Sequence, residues 1–214
     1  MLQRLRAQAD PEARAGLRPF PVHPELARLL PDGGLKPGGA YTVTGGSLLL
    51  SLLAPPSQEG TWCGVVGMPD LGAEAAEQAG VALERLALVP SPGGHWLSVV
   101  AALTEVLPVV AVRPQGRVAE ADAGRLAARL RDRGAVLLVA GEWPRVEATL
   151  SVGEPRWHGL GSGHGHLTER AVVVSVATRR SPIPRSARVM LPGPTGTLAA
   201  LPAEPVVTHL RAVG

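Results

Sequence analysis

The stretch YTVTGGSLLLSLLA, Tyr41 to Ala54, raises the first chemical question. An apolar run meets Thr44-Gly45-Gly46-Ser47, and a leucine-rich run follows. Glycines between a strand and a helix expose backbone N–H groups at the helix N-terminus, where phosphates bind. Phosphate chemistry needs more: a wide glycine-rich turn, a lysine for the β/γ-phosphates and a hydroxyl for Mg²⁺. Here the turn is about half the length of G-x-x-x-x-G-K-[ST]. The chain's one lysine, Lys36, precedes the strand, at its opposite end from a phosphate site. Losing that point charge against a triphosphate of about −4 in a shortened cradle removes most of the affinity.

The acids that such chemistry requires are also displaced. The strand PVVAVR ends in Arg113, where a carboxylate should hold Mg²⁺. Asp70 lies several residues beyond the run GVVG, in a Pro-Asp-Leu-Gly turn or helix start. Gly45, Gly46 and Ser47 are therefore read as a vestigial loop, with no catalysis and no nucleotide or other cofactor. The leucines Leu48, Leu49, Leu50, Leu52 and Leu53 predict a helix buried on nearly all sides, without a solvent-facing mouth.

Other reactive residues have plainer readings. Cys63 is the single cysteine, so an internal disulfide and a cysteine-built metal site are excluded. His158, His164 and His166 sit among glycines with no carboxylate pair nearby, which reads as an exposed hairpin loop and not a metal site. Arg179, Arg180 and Arg185 surround two prolines; they read as a basic turn and as the candidate for a weak, sequence-independent DNA contact. Arg125, Arg129 and Arg133 share one stripe of a helix, a solvated outer face.

The elements that hold these residues follow from periodicity. The 214 residues are 45% hydrophobic but only 3% aromatic, so one core of Leu, Val and Ala is expected. Apolar runs near 40–44, 61–67, 86–89, 108–113 and 135–141 alternate with helical segments near 47–53, 72–80, 95–106 and 119–134. Strands apolar on both faces between helices predict a mainly parallel sheet with helices on both faces. After Gly141 the helices stop, and RVEATLSV, RAVVVSVA and SARVMLPG predict an antiparallel C-terminal extension. PPSQEG reads as a turn. A net charge of +3, no apolar run of membrane-spanning length and no apolar leader predict a cytoplasmic protein without a membrane.

The order of landmarks carries a resemblance. HPELARLLPDGGLKPGGAYTVTG, with Leu29, Leu30, Gly33, Gly34, Leu35 and Gly38, resembles the entry into a RecA-like core. SLLLSLLA takes the place of the helix after the phosphate loop, and GTWCGVVG that of the second core strand. With its degenerate P-loop, the chain resembles the ImuA family in its short actinobacterial form, and more distantly SulA. The ImuA resemblance implies a non-catalytic accessory role in DNA-damage-induced translesion synthesis. Its implied partners are ImuB, an inactive Y-family polymerase homologue, together with RecA and an error-prone C-family polymerase. Two alternatives stay open: a RecA paralogue or mediator that binds single-stranded DNA, and a SulA-like cell-division inhibitor.

Three regions are expected: an N-terminal arm over 1–20, a RecA-like core over 21–191 and a Pro-rich docking segment over 192–214. In the arm, Leu2 and Leu5 are candidates for partner docking. In the tail, Leu198, Leu201, Val206, Val207 and Leu210 make it too apolar for a solvated end. They are expected to dock on this core or on a partner.

Overall fold

A short strand apolar on both faces is stable only when each face meets a helix layer, and the sequence supplies four such strands. The computed structural model describes residues 18–160, 165–179 and 181–202, apart from the side chains of 158–160, 165–168 and 182. After a short helix α1 (Pro24–Ala27), strand β1 (Ala40–Val43) leads into α2 (Gly46–Gln58). Then come β2 (Cys63–Val66), α3 (Ala73–Gln78), β3 (Leu86–Val89), α4 (Trp96–Leu103), β4 (Val109–Val112), α5 (Glu120–Arg133) and β5 (Val136–Val139). The chain continues as β6 (Ala148–Leu160), β7 (Gly165–Thr178), β8 (Ser181–Met190) and β9 (Ala199–Ala200).

One nine-stranded sheet results, in the order β3-β2-β4-β5-β1-β6-β7-β8-β9. Neighbours from β3 through β6 are parallel, and β6 to β9 are antiparallel. The fold is thus mixed α/β, mainly parallel, with an antiparallel C-terminal part. β1 lies between β5 and β6, with Tyr41 opposite Leu138 on one side and Ala148 on the other.

Side chains alternate between two cores, as strand geometry requires. Tyr41, Val43, Val65, Ala111 and Leu138 pack with leucines of α2 and with Leu26 of α1. Val66, Val110, Val112, Leu137 and Val139 pack on the opposite face with Trp96 and Val100 of α4 and Leu126 and Leu130 of α5. α5 is well terminated: Glu120 and Asp122 occupy its first turn, Arg131 and Arg133 its last, and Gly134 closes it at φ 65°.

Helix α2 differs from expectation. It does not end before Pro55-Pro56 but runs through both prolines to Gln58. The prolines remove two backbone donors, yet Leu52, Leu53, Ala54, Pro56 and Ser57 are all buried, and Ser57 Oγ donates to the Ala54 carbonyl at 2.7 Å. Burial of that last turn outweighs the lost hydrogen bonds.

The extension is packed on one side only. Leu150, Val172, Val174, Val176 and Val189 join the first core, where Leu26, Leu30 and Leu35 of the segment before β1 lie with them. Among the described residues, none of β6 to β8 joins the second core. On that face stand Thr149, Ser151, Val173 and Ser175, none fully buried, with exposed Ser186 and Arg188. Thr42 Oγ1 donates to Thr149 Oγ1 at 2.7 Å, and Ser175 and Ser186 pair at 2.7 Å. The strands also run longer than expected. Much of RWHGLGSGHGHLTER is strand, because cross-strand backbone pairing holds even where side chains are polar. The sheet also takes in β9, past the expected core limit at Leu191.

Candidate functional site

Four strand ends and one helix start build a cleft at the C-terminal edge of the parallel strands. Thr44, Gly45 and Gly46 leave β1 and turn into α2; Thr44 N–H donates to the Leu150 carbonyl at 2.9 Å, which ties the turn to β6. Gly45 has φ 95°, a conformation side chains rarely adopt. The Gly45 carbonyl accepts from Leu49 N–H as the first helical bond, so the N–H groups of Gly46, Ser47 and Leu48 have no partner within α2. No side chain caps this end.

The facing wall carries Met68, Asp70 and Leu71 after β2, Arg113 after β4, and Ala140 and Gly141 after β5. The enclosed volume is about 370 Å³. The helix body is buried as its leucines imply, but Thr44, Gly45 and Gly46 are exposed. The expectation of no solvent-facing mouth is therefore corrected: burying a helix on its sides leaves its N-terminal turn open.

The charged groups of the cleft are committed to each other. Arg113 Nη1 meets Asp70 Oδ2 at 3.2 Å, with the side chains 47% and 82% exposed. A pair so exposed contributes about 0–1 kcal/mol to stability. It nonetheless places a guanidinium where a metal-holding acid would stand. Gly67, at φ 74°, admits this arrangement, since a Cβ there would meet the Arg113 carbonyl at 2.7 Å.

A third group was not foreseen. Arg170, on β7, donates from Nη2 to Ser47 Oγ at 2.7 Å and from Nε to the Leu191 carbonyl at 2.7 Å. Its guanidinium lies 5.3 Å from the Trp157 ring centroid. The hydroxyl that would face Mg²⁺ therefore accepts from a cation, which repels a second one. Ser47 and Arg170 are 123 positions apart, and no local pattern could have joined them. Lys36, by contrast, sits ahead of β1, with Nζ 3.8 Å from Glu147 Oε1.

The remaining candidates lie elsewhere. Burial pushes the Cys63 thiol up to about 12, so at neutral pH it is not a thiolate nucleophile. Arg179, at the β7–β8 turn, and Arg185, on β8, are exposed at the sheet end opposite the cleft; Arg180 lies outside the described residues. Leu198 is buried against this chain's own core, Leu201 is exposed, and Leu2, Leu5, Val206, Val207 and Leu210 lie outside the described residues. On α5, Arg125 pairs with Asp122 and Arg133 with Glu105, while Arg129 is exposed. His164 and the side chains of His158 and His166 also lie outside the described residues. Among the described residues no three His, Cys, Asp or Glu side chains cluster to hold a metal ion. No described helix is long and apolar enough to cross a membrane.

Comparison with known proteins adds two findings. Over 128 residues the chain is 38% identical to the uncharacterised protein Rv3395c of Mycobacterium tuberculosis, an overlap of 58% of this chain and 63% of that protein. The chain thus spans less than two thirds of that relative's length. The family described as the MT3502 N-terminal domain matches residues 28–145, from the end of α1 to just past β5, and so takes in the cleft except for the contributions of β6 and β7. That match covers more than half of the sequence, and the chain belongs to the MT3502 N-terminal domain family.

Proposed function

We propose that this protein is a non-catalytic, RecA-like accessory protein of DNA-damage-induced translesion synthesis, linking an ImuB-type polymerase homologue to its partners in the cytoplasm. The observation that carries the reading is the state of the cleft. Arg113 stands where an acid would hold Mg²⁺ and is tied to Asp70, and the Ser47 hydroxyl accepts from Arg170. The cleft keeps the position of a phosphate site while its groups stabilise one another. A mainly parallel core with an antiparallel extension also agrees with the RecA-like architecture that the landmark order implies.

Two experiments test this. Titration of a fluorescent ATP analogue with Mg²⁺ is expected to give no saturation in the micromolar range; saturable micromolar binding sinks the non-catalytic reading. Affinity purification from DNA-damaged cells is expected to recover an inactive Y-family polymerase homologue. Recovery of a cell-division GTPase in its place overturns the reading in favour of the SulA-like alternative.

A second reading, a mediator that binds single-stranded DNA, is favoured by Trp157. Its ring is 48% exposed with Arg170 against it, an arrangement on which a base can stack. This reading predicts salt-sensitive oligonucleotide binding that Trp157→Ala abolishes.

A further inference from the structure

Strand β8 departs from regular pairing at one place. Val176 lies opposite Arg185 and Thr178 opposite Ser181, so Pro182, Ile183 and Pro184 share the single partner position Ala177. A bulge of this kind re-aims the side chain it carries. Ile183, the chain's one isoleucine, is 76% exposed, more than any other large hydrophobic among the described residues. Ser181 Oγ donates to the Ile183 carbonyl at 2.8 Å and fixes the bulge locally. Pro182 and Pro184 lack N–H donors, so this edge cannot extend by pairing with another strand.

The rim of the bulge is cationic. Arg179 and Arg185 are exposed, and neither has a carboxylate within ion-pairing distance among the described residues. No Asp or Glu occurs from Ala171 through Ala203. Glu147, which precedes β6 at this end of the sheet, faces Lys36.

We infer that the bulge is an apolar wedge on a basic rim that engages duplex nucleic acid from the minor groove, with Ile183 entering a base step while Arg179 and Arg185 hold the flanking phosphates. One isoleucine covers far less area than a stable protein–protein interface requires. It is also less than the second signal that a lasting membrane anchor needs. A minor-groove wedge inserts an apolar side chain such as Ile between base steps, while neighbouring cations meet the duplex. The biological setting rests on the DNA-damage reading above; the physical claim concerns the purified chain alone.

The test uses the full chain with a short duplex labelled at both ends for energy transfer, and in parallel with anionic phosphatidylserine vesicles. The wild type is expected to bind and bend the duplex, with affinity falling on a log–log salt slope of about −2 for two phosphate contacts. Ile183→Ser, at an exposed position, is expected to abolish the bend and weaken binding about tenfold. Arg179→Glu with Arg185→Glu is expected to flatten the salt slope by about 1 per arginine. The inference fails if the wild type does not bind the duplex, if Ile183→Ser bends it as the wild type does, or if vesicles are bound and the duplex is not. Capture of the polymerase homologue separates this result from the parent reading. Ile183→Ser that loses bending but keeps the partner supports the wedge, and a wild type that bends DNA but captures no such partner removes only the parent reading.

Discussion

The two halves of the sheet solve the same problem differently. From β2 to β1 each strand is four residues long, parallel and buried on both faces, and only the edge strand β3, with Leu88 42% exposed, is partly open. From β6 to β8 the strands are 13, 14 and 10 residues long, antiparallel and covered on one face only. A short parallel strand depends on the layers above and below it, whereas a long antiparallel one is supported by its own ladder and needs one apolar side. The half within the family match is therefore the half with little tolerance for change. The extension has a free face on which polar and charged residues can vary.

The largest test of that contrast is a pair of truncations. Leu138→Ala, within the doubly covered half and fully buried, is expected to cost about 2–5 kcal/mol. Val173→Ala, on the open face of β7, is expected to cost less than about 1 kcal/mol. Urea unfolding of both variants measures this, and equal costs would break the comparison.

A smaller effect is expected where the halves are joined. Arg170 links β7 to the start of α2 through Ser47 and to the Leu191 carbonyl. Arg170→Ala is expected to destabilise by about 1–3 kcal/mol and to speed hydrogen exchange at Leu49, whose N–H makes the first bond of α2. Unchanged exchange there would mean that the halves are coupled only through the β1–β6 ladder.

The smallest effect concerns the segment that covers the extension. His23 caps α1, its Nδ1 accepting from the Glu25 N–H at 3.3 Å. Burial, the larger influence, lowers its pKa below 6.5, against the opposing pull of Glu25. The stability it contributes is full above the unfolded value of 6.5. As pH falls below that value, the unfolded chain takes up a proton that the folded one resists, and stability declines until the folded value is passed. Unfolding midpoints across this range should therefore drop for the wild type and drop less for His23→Ser, which keeps a cap without the titration. A steeper decline in the variant would contradict this assignment.

Much of the doubly covered half was legible in the sequence. Runs such as VVAV and VLLV are apolar at every position, and only a strand between two helix layers accommodates that. β3 falls at the expected Leu86–Val89. The extension was harder to read, because a strand held by backbone pairing can carry His, Gly and Arg and so resemble a loop. Pro55-Pro56 misled for a related reason: local propensity speaks against the helix, and only the burial of Pro56 and Ser57 reverses it. In the cleft, Asp70 and Arg113 each stood out as displaced, but their pairing spans 43 positions and depends on β2 and β4 being neighbours. Arg170 carried no signal of its own among the chain's many arginines.

The central place of β1 has a consequence for how the chain is made. Both neighbours of β1 are synthesised late: β5 begins at Val136 and β6 at Ala148. At a translation rate of roughly 5–20 residues per second, β1 waits on the order of ten seconds for both of its sheet neighbours. The leucines of α2 meet β2 and β4 first, so β1 is the last strand of the parallel half to be paired on both sides.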